Sequence, residues 1–348
     1  MKLFTLNVFE NFECLAGECR HSCCTGWEID VNEATLKSYK KCKTPFYKKL
    51  KQGVDFKNGC FKLCPDGKCF FLNSDGLCDI IVNLGKNALC QVCRDHPRYR
   101  NFLRDSVEYG IGVCCEVGAK AVIDFNGDIK LVPAPADAVR ELPAILSDDA
   151  RDYSADGSPD VSSANPCGVS FSAPDGMKNK AETEWERTML LFREKAFSLF
   201  AERETPFGLK IEAALKICGV KRENLYEREW KGRFRQLEIL FDLWKERIDN
   251  ADFVAARVFK DEKAFSNLAA YFIHRHVTQA FDETDLKSRL FFCVLSLFII
   301  NAVYEGNKNL AQNACSLADA AREYSVEIEY SDDNYQKLLD VADTLITL

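Results

Sequence analysis

Residues 14–29 read CLAGECRHSCCTGWEI, and residues 90–98 read CQVCRDHPR. The first stretch packs four cysteines into one short loop as Cys14-x4-Cys19-x3-Cys23-Cys24, and the second opens with Cys90-x2-Cys93. Between them lie Cys60-x3-Cys64-x4-Cys69 and Cys78, and the vicinal pair Cys114-Cys115 follows. Spacings this short let several thiols of one loop reach one point, the arrangement that tetrahedral zinc or an iron–sulfur cluster requires. Thirteen of the 17 cysteines fall in residues 1–115, so a cysteine-dense head is joined to a cysteine-poor body.

The chain has 348 residues, with 47% hydrophobic and 28% charged positions. That composition excludes a disordered tail, a collagen-like fibre and a disulfide-stapled miniprotein. Charge divides as the cysteines do. Residues 1–120 carry 18 Lys+Arg against 14 Asp+Glu, a net of +4, and the remainder is net −11. Neither part is basic enough to point to nucleic acid.

The opening MKLFTLNVFENFEC lacks the layout of a secretory signal, and the longest apolar run, Leu290–Ile300, is interrupted by Cys293 and Ser296. The expectation is a cytoplasmic protein that does not span a membrane. In that reducing compartment dense cysteines serve as metal ligands or catalytic groups more often than as bridges.

Asn32 and Thr44-Pro45 look like helix starts, with the second helix stopped by Gly53. From Val54 to Ile80 apolar pairs alternate with the turn signals Asn58-Gly59, Pro65-Asp66-Gly67 and Ser74-Asp75-Gly76, the pattern of short hairpins that present ligands. Short helices are expected at 79–84 and 87–93, a strand at 102–113, a helical turn at 115–123 and a hairpin at Asn126-Gly127. Residues 147–180 are rich in Ser, Asp, Ala, Pro and Gly and read as a flexible linker. Beyond it, helical periodicity recurs over 185–200, 205–219, 236–248, 264–281, 286–304, 309–324 and 334–348. The fold expected is mainly α: a loop-rich cysteine metal-binding module with short helices and hairpins over 1–146, the linker, and a helical bundle or array over 181–348.

Spacing alone does not separate zinc from an iron–sulfur cluster, and a pair of zinc sites stabilising a small module is an equal reading. A non-catalytic zinc- or iron-binding protein, whose module supports protein–protein interaction, stays open as the rival class.

The blocks also resemble a family. C-x4-C-x3-CC-x-G-W-x-I, a cysteine segment about 45 residues on, and L-C-x2-C-R-x-H-P-R are similar to the flagellin lysine-N-methylases, part of a cysteine-rich group described as zinc- or iron-chelating. Cys114-Cys115 sits where that family has a cysteine after its third block, and Leu268–His276 and Ser325-Val326-Glu327-Ile328-Glu329 resemble its C-terminal helical part. The resemblance implies methyl transfer from S-adenosylmethionine to lysine ε-amines of flagellin or a similar protein, in an enzyme with a 4Fe-4S cluster. It carries the ligand role to Cys14, Cys19, Cys23, Cys24, Cys69, Cys78, Cys93 and Cys115. Cys60, Cys64, Cys90 and Cys114 fall outside the pattern. Eight thiols exceed the four of one cluster, so some are structural, spare, or bind another metal.

The residues alone do not derive a methyltransferase. Gly110-Ile111-Gly112 has no βαβ unit around it, and the C-x3-C-x2-C run of radical enzymes is absent, since Cys60-x3-Cys64 continues with x4. Trp27 is a candidate to stack on adenine, with a place in the module's small core the simpler reading. Arg94 and Arg98, with His96, are candidates to grip a carboxylate or donate to cluster sulfurs, or form a solvated basic turn. Tyr99 and Tyr109 are candidates to take or relay the lysine proton. His274 and His276, two apart on an apolar helix, read as partly buried packing residues.

Overall fold

The computed structural model describes residues 2–135, 180–226 and 228–346. The expected linker lies outside the described residues as far as 179. Chain contacts define two compact units, one of Glu13–Arg98 with Cys115–Val117, the other of Met1–Phe12, Tyr99–Cys114 and Gly118–Leu348. These units cut the chain differently from the 1–146 and 181–348 division: the N-terminal strand and residues 99–114 fold with the helices. Strand Lys2–Leu6 pairs in parallel with Ser106–Ile111, in the register Leu3↔Val107 and Thr5↔Tyr109, and antiparallel with Leu131–Pro133. With Arg98–Phe102 outermost on the other side, this makes a four-stranded sheet. Pro133, which has no N–H to give a ladder, sits on an edge strand.

The cysteine unit is built from short pieces. Helices Glu33–Lys40, Tyr47–Gly53, Asp79–Leu84 and Gln91–Asp95 surround a two-residue hairpin of Val54–Asp55 with Cys60–Phe61. The Asp-Gly turns form as the sequence expects, with Gly67 at φ 76° and Gly76 at φ 72°, where a side chain would be strained. Asn32 sits at the N-cap of its helix, although its side-chain oxygen accepts from Thr35 Oγ1 at 2.8 Å and from the Gln91 amide at 3.3 Å instead of capping. A compact core of Tyr39, Leu50, Phe61, Phe71 and Ile80 holds the loops. Each such side chain contributes about 1.5–3 kcal/mol by leaving water.

In the second unit the helix Glu283–Asn307 is buried along almost its whole length from Leu286. It is long and apolar enough to cross a membrane, but 94% of its apolar window is buried within the protein, as in a core helix. Helices Phe207–Cys218, Asp242–Asn250, Glu262–His276, Leu317–Tyr324 and Asp332–Ile346 pack on it. Gly219 ends the first of these in the left-handed conformation, and Ser316 with Asp319 forms a capping box for Leu317–Tyr324. A π-helical turn, Ser325–Glu329, follows directly.

Local expectations change at four places, and one of them is the helix expected over 309–324, which begins only at Leu317. The single strand expected over 102–113 is two strands, Arg98–Phe102 and Ser106–Ile111, because the chain turns where Leu103 N–H donates to Ser106 O at 2.9 Å. The helix expected from Gln236 begins only at Asp242, because the amides of Leu240 and Phe241 donate to the Glu327 carboxylate at 2.9 and 2.8 Å. Asn126-Gly127 makes no hairpin; Asn267 Nδ2 donates to the carbonyls of Val122 and Phe125 at 3.0 and 2.8 Å and pins that loop to a helix.

Candidate functional site

The cysteine unit gathers its thiols in two places. Cys69 and Cys90 are buried in the aromatic core, at 4% and 0% exposure, and Cys24, Cys78 and Cys93 pack against it. Backbone pairing fixes this gathering. Cys69 N–H donates to Cys24 O at 2.8 Å, and Leu72, whose own N–H donates to Cys69 O, bridges to Cys78. Cys90 stands at the N-cap of Gln91–Asp95, which carries Cys93. Cys93 lies within electrostatic reach of Cys24 and Cys69, and Cys78 of Cys90.

The second place is nearer the surface. Cys14 and Cys23 are exposed and Cys19 and Cys115 half-buried. Cys19 is within electrostatic reach of Cys14, Cys23 and Cys115. Glu116, beside Cys115, accepts from Arg20 Nε at 2.9 Å and from the His21 amide at 3.1 Å, which ties that segment to the Cys19–Cys23 loop. In the vicinal pair, Cys23 is exposed and Cys24 packs against the core.

Burial and neighbouring negative charge push these thiols toward the neutral form. Cys19 and Cys69 are each raised to about 11, mainly by burial, and Cys78 is raised for the same reason. In two pairs one member is favoured as thiolate: Cys23 is lowered to about 7 by Cys24, and Cys90 is lowered by Cys93. Among the described residues no three His, Cys, Asp or Glu side chains converge on one point as a metal ion requires, and no two cysteines are bridged.

The remaining sequence candidates take clear positions. Trp27 is half-buried against the module core; its indole N–H donates to Cys23 O at 2.9 Å and its ring lies 5.6 Å from that of His96. Arg94 stands in the last turn of Gln91–Asp95, and Arg98 opens the strand Arg98–Phe102. Cys60 faces the carboxylates of Glu28, Asp55 and Asp30, whereas Cys64 is within reach of Cys69. Cys114 is buried in the helical unit. Tyr109 packs half-buried beside Leu3 and Val107.

Sequence reading missed a buried polar network in the helical unit. Tyr99, 3% exposed, places its hydroxyl 2.8 Å from His274 Nδ1, and His274 Nε2 lies 3.3 Å from Glu108 Oε2. Arg193 grips Glu108 from the other side, with Nη1 and Nη2 donating at 2.5 and 2.8 Å. Burial works to raise the Glu108 carboxyl, but His274 and Arg193 outweigh it and hold it down to about 2. Burial keeps His274 below its ordinary value, and its Nε2 faces Glu108 without meeting hydrogen-bond geometry.

Beside it, Glu329 of the π turn accepts from His276 Nε2 at 2.6 Å, from Ser325 Oγ at 2.5 Å and from Tyr271 Oη at 3.0 Å, with Arg275 Nε 3.2 Å away. Burial lowers His276 to about 4, and its Nδ1 meets Tyr335 Oη at 3.1 Å. The two histidines are therefore fully buried hydrogen-bonding groups, not partly buried packing residues. Two bare backbones admit this network: a Cβ on Gly110 would sit 2.3 Å from Tyr99 Oη, and one on Gly112 would sit 3.1 Å from Arg275 Nη1. The signal available in sequence was the Gly-x-Gly together with His-x-His, but the partners lie far apart along the chain.

No family model matches the chain, and no solved structure matches it. Curated proteins do. The lysine-N-methylases of Salmonella choleraesuis and Salmonella typhimurium are each 30% identical to it, over 123 and 122 residues, or 33% and 32% of this chain. The matched stretch spans 31% and 30% of their own lengths, so the chain aligns with about a third of each relative. The flagellar biosynthetic protein FliU of Salmonella muenchen is 29% identical over 123 residues, 73% of its length. About a third of the chain is thus similar to proteins named for lysine N-methylation and for flagellar biosynthesis, as the resemblance implied.

Proposed function

We propose that the protein is a cytoplasmic protein-lysine N-methyltransferase that acts on flagellin or a similar protein, takes its methyl group from S-adenosylmethionine, and carries metal in its cysteine unit. The observation that carries the reading is the joint occurrence of the cysteine blocks with similarity to proteins named lysine-N-methylase. In the reaction a neutral lysine amine attacks the sulfonium methyl in line; the carbon–sulfur bond breaks as the carbon–nitrogen bond forms, and the amine proton passes to solvent. Because a free lysine amine is protonated below pH about 10.4, the substrate groove must desolvate it or accept that proton.

Thiols from several loops of one unit are the donor type that a thiophilic metal takes, although among the described residues no three of them converge on one point. Iron in a 4Fe-4S cluster is the reading favoured by resemblance, with zinc the alternative. Bound metal would supply charge neutralisation and a rigid frame for the loops. The core residues Tyr39, Phe61 and Phe71 exclude water from the inner thiols, and Glu116 anchors the outer loop through Arg20 and His21. Trp27 and the arginines Arg94 and Arg98 are the candidates for the adenine and carboxylate of the methyl donor. Tyr99 is committed to His274 inside the helical unit, which leaves Tyr109 the more open of the two tyrosines.

The test is to incubate metal-loaded protein with flagellin and S-adenosylmethionine and to map lysines by mass spectrometry. One-methyl mass increments on lysine are expected. Absence of transfer across several flagellins and other surface proteins, with fully loaded protein, would refute the enzyme assignment.

A further inference from the structure

Residues 37–51 read KSYKKCKTPFYKKLK, seven lysines without one acid, and nothing above gives them a task. Four have partners. Lys37 pairs with Glu33 at 2.6 Å and Lys49 meets Asp79, while Lys40 lies 5.6 Å from the Phe56 ring centre and Lys51 lies 5.0 Å from that of Tyr47. Lys41, Lys43 and Lys48 are exposed, and among the described residues no carboxylate stands against them. Lys41 and Lys43, with Lys37, line a groove of about 630 Å³ between the helix Glu33–Lys40, the turn after it and residues 84–88. Ser38 and Thr44 add hydroxyls to its wall, and Leu84 and Ala88 add an apolar part that is half-buried where the lysines are exposed. The Tyr39 hydroxyl donates to Ala88 O at 2.6 Å and so fixes the helix to the opposite wall. The whole groove lies within the cysteine unit and is shaped by that unit's own core. Like charges held this way repel one another, and carboxylates brought by another molecule relieve the repulsion.

We propose that this groove binds an acidic segment of a partner protein, with Asp and Glu side chains on Lys37, Lys41 and Lys43 and small apolar side chains on Leu84 and Ala88. Its chemistry selects a polypeptide among anions. The groove lies at the C-terminal end of its helix, where the backbone presents carbonyls instead of the N–H groups that cradle phosphate. Among the described residues its lining has no arginine to grip a phosphate with two bonds. Its one aromatic ring there, Tyr39, is 2% exposed and offers no face to a base. Leu84 and Ala88 are recessed behind the lysines, whereas a bilayer takes up apolar groups that project from the surface. Lysines are point charges on flexible stems, suited to carboxylates spaced along a chain. In the proposed function such a segment belongs to the protein whose lysines are modified. The binding itself requires neither metal nor methyl donor.

The experiment is fluorescence anisotropy on the full chain, purified without oxygen, with a fluorescein-labelled peptide in which Asp and Glu alternate with Ala and Leu. Binding is expected at low ionic strength and weakens as salt rises. Lys41→Gln/Lys43→Gln is expected to bind the peptide about tenfold more weakly. Lys57→Gln/Lys62→Gln removes the same charge from exposed lysines outside the groove and is expected to change affinity less than about twofold. Ala34→Trp fills the groove without altering charge and is expected to abolish binding. All five positions are exposed, so the variants keep the wild-type far-UV circular dichroism. A wild type that does not bind at low salt, equal loss in the two glutamine variants, or unchanged binding by Ala34→Trp overturns the proposal. Tighter binding of single-stranded DNA or of phosphatidylserine vesicles, lost in the groove variants, gives the groove another occupant and overturns it as well. A wild-type dimer that the groove variants dissociate does the same, with a second copy of the chain as occupant. The assay contains no methyl donor, so its failure leaves methyl transfer standing, and a failed methyl transfer leaves the groove standing.

Discussion

Replacing Glu108 by glutamine removes one negative charge from the interior of the helical unit and changes almost nothing in shape. Arg193, 8% exposed, then has a buried guanidinium whose bidentate partner has become a neutral amide, with an NH2 group facing one of its own N–H groups. Removing one member of a buried ion pair costs about 3–5 kcal/mol, because the remaining charge stays out of water without compensation. The titration of Glu108 gives an independent figure. Its carboxyl ordinarily titrates near 4.5 and is held at about 2 in the fold. That difference corresponds to roughly 3 kcal/mol at pH 7, shared between His274 and Arg193. A carboxylate with a depressed value stabilises the fold above its unfolded value, and the contribution is lost as pH falls from about 4.5 toward 2. Urea unfolding followed by tryptophan fluorescence reads this unit, where Trp230 and Trp244 are fully buried. Glu108→Gln should lose about 3 kcal/mol at pH 7 and show less acid-dependent loss than the wild type between pH 4.5 and 2. The double variant Glu108→Leu/Arg193→Met should cost less than the sum of its two single variants, since no charge is then stranded. A loss below about 1 kcal/mol in Glu108→Gln, with an unchanged acid profile, would refute the assignment of Glu108 as the buried partner of Arg193.

His276 works in the same direction at milder pH. Its value near 4 against an ordinary 6.5 means that the unfolded chain takes up a proton first, so about 3 kcal/mol is lost as pH falls from 6.5 to 4. His276→Gln should flatten that interval in unfolding curves, and a variant with the wild-type slope would show that the loss comes from elsewhere. Gly110→Ala should destabilise the helical unit by about 1–3 kcal/mol through overpacking. Tyr99→Phe should not rescue it, because the new Cβ would also sit 2.4 Å from Tyr99 Cζ; recovery in the double variant would move the clash to the hydroxyl alone. Trp27→Phe should lower the unfolding midpoint of the cysteine unit by the loss of one hydrogen bond, about 1 kcal/mol, and no change would mean that the Trp27–Cys23 bond contributes nothing.

Much of the architecture was legible because its signals are local. The Asp-Gly turns, the Gly219 stop and the apolar periods of the helices each act over a few residues, and the structure places them as the pattern suggests. Lys2–Leu6 was not legible, since its parallel partner lies about a hundred residues away and a strand of five residues carries too weak a period of its own. The same holds for the polar network. Helical spacing separates His274 from His276, but nothing in that spacing says that strand residues 99 and 108 will meet one and Glu329 the other. Among the cysteines, spacing marked a thiol-rich module, yet it could not say that Cys69 and Cys90 lie inside an aromatic core, because that depends on how separate loops pair.

The segments that carry the resemblance serve different physical ends in the two units. In the cysteine unit they supply thiols, and a buried thiol without metal still acts as a small apolar side chain, so Cys69 and Cys90 fill a core with Phe61 and Phe71 in either state. In the helical unit they supply charge. Residues of Leu268–His276 and of Ser325–Glu329 meet as the Arg275–Glu329 and His276–Glu329 contacts, and the π turn puts Glu327 on the amides of Leu240 and Phe241 and Glu329 on the helix. Such an ionic core adds little net stability compared with an apolar one of the same volume. What it adds is selectivity of packing: a helix shifted by one residue would strand Arg275 and Glu329 in an apolar interior at several kcal/mol each. The helical unit therefore has one register that satisfies its buried charges, set by residues that contribute no metal ligand.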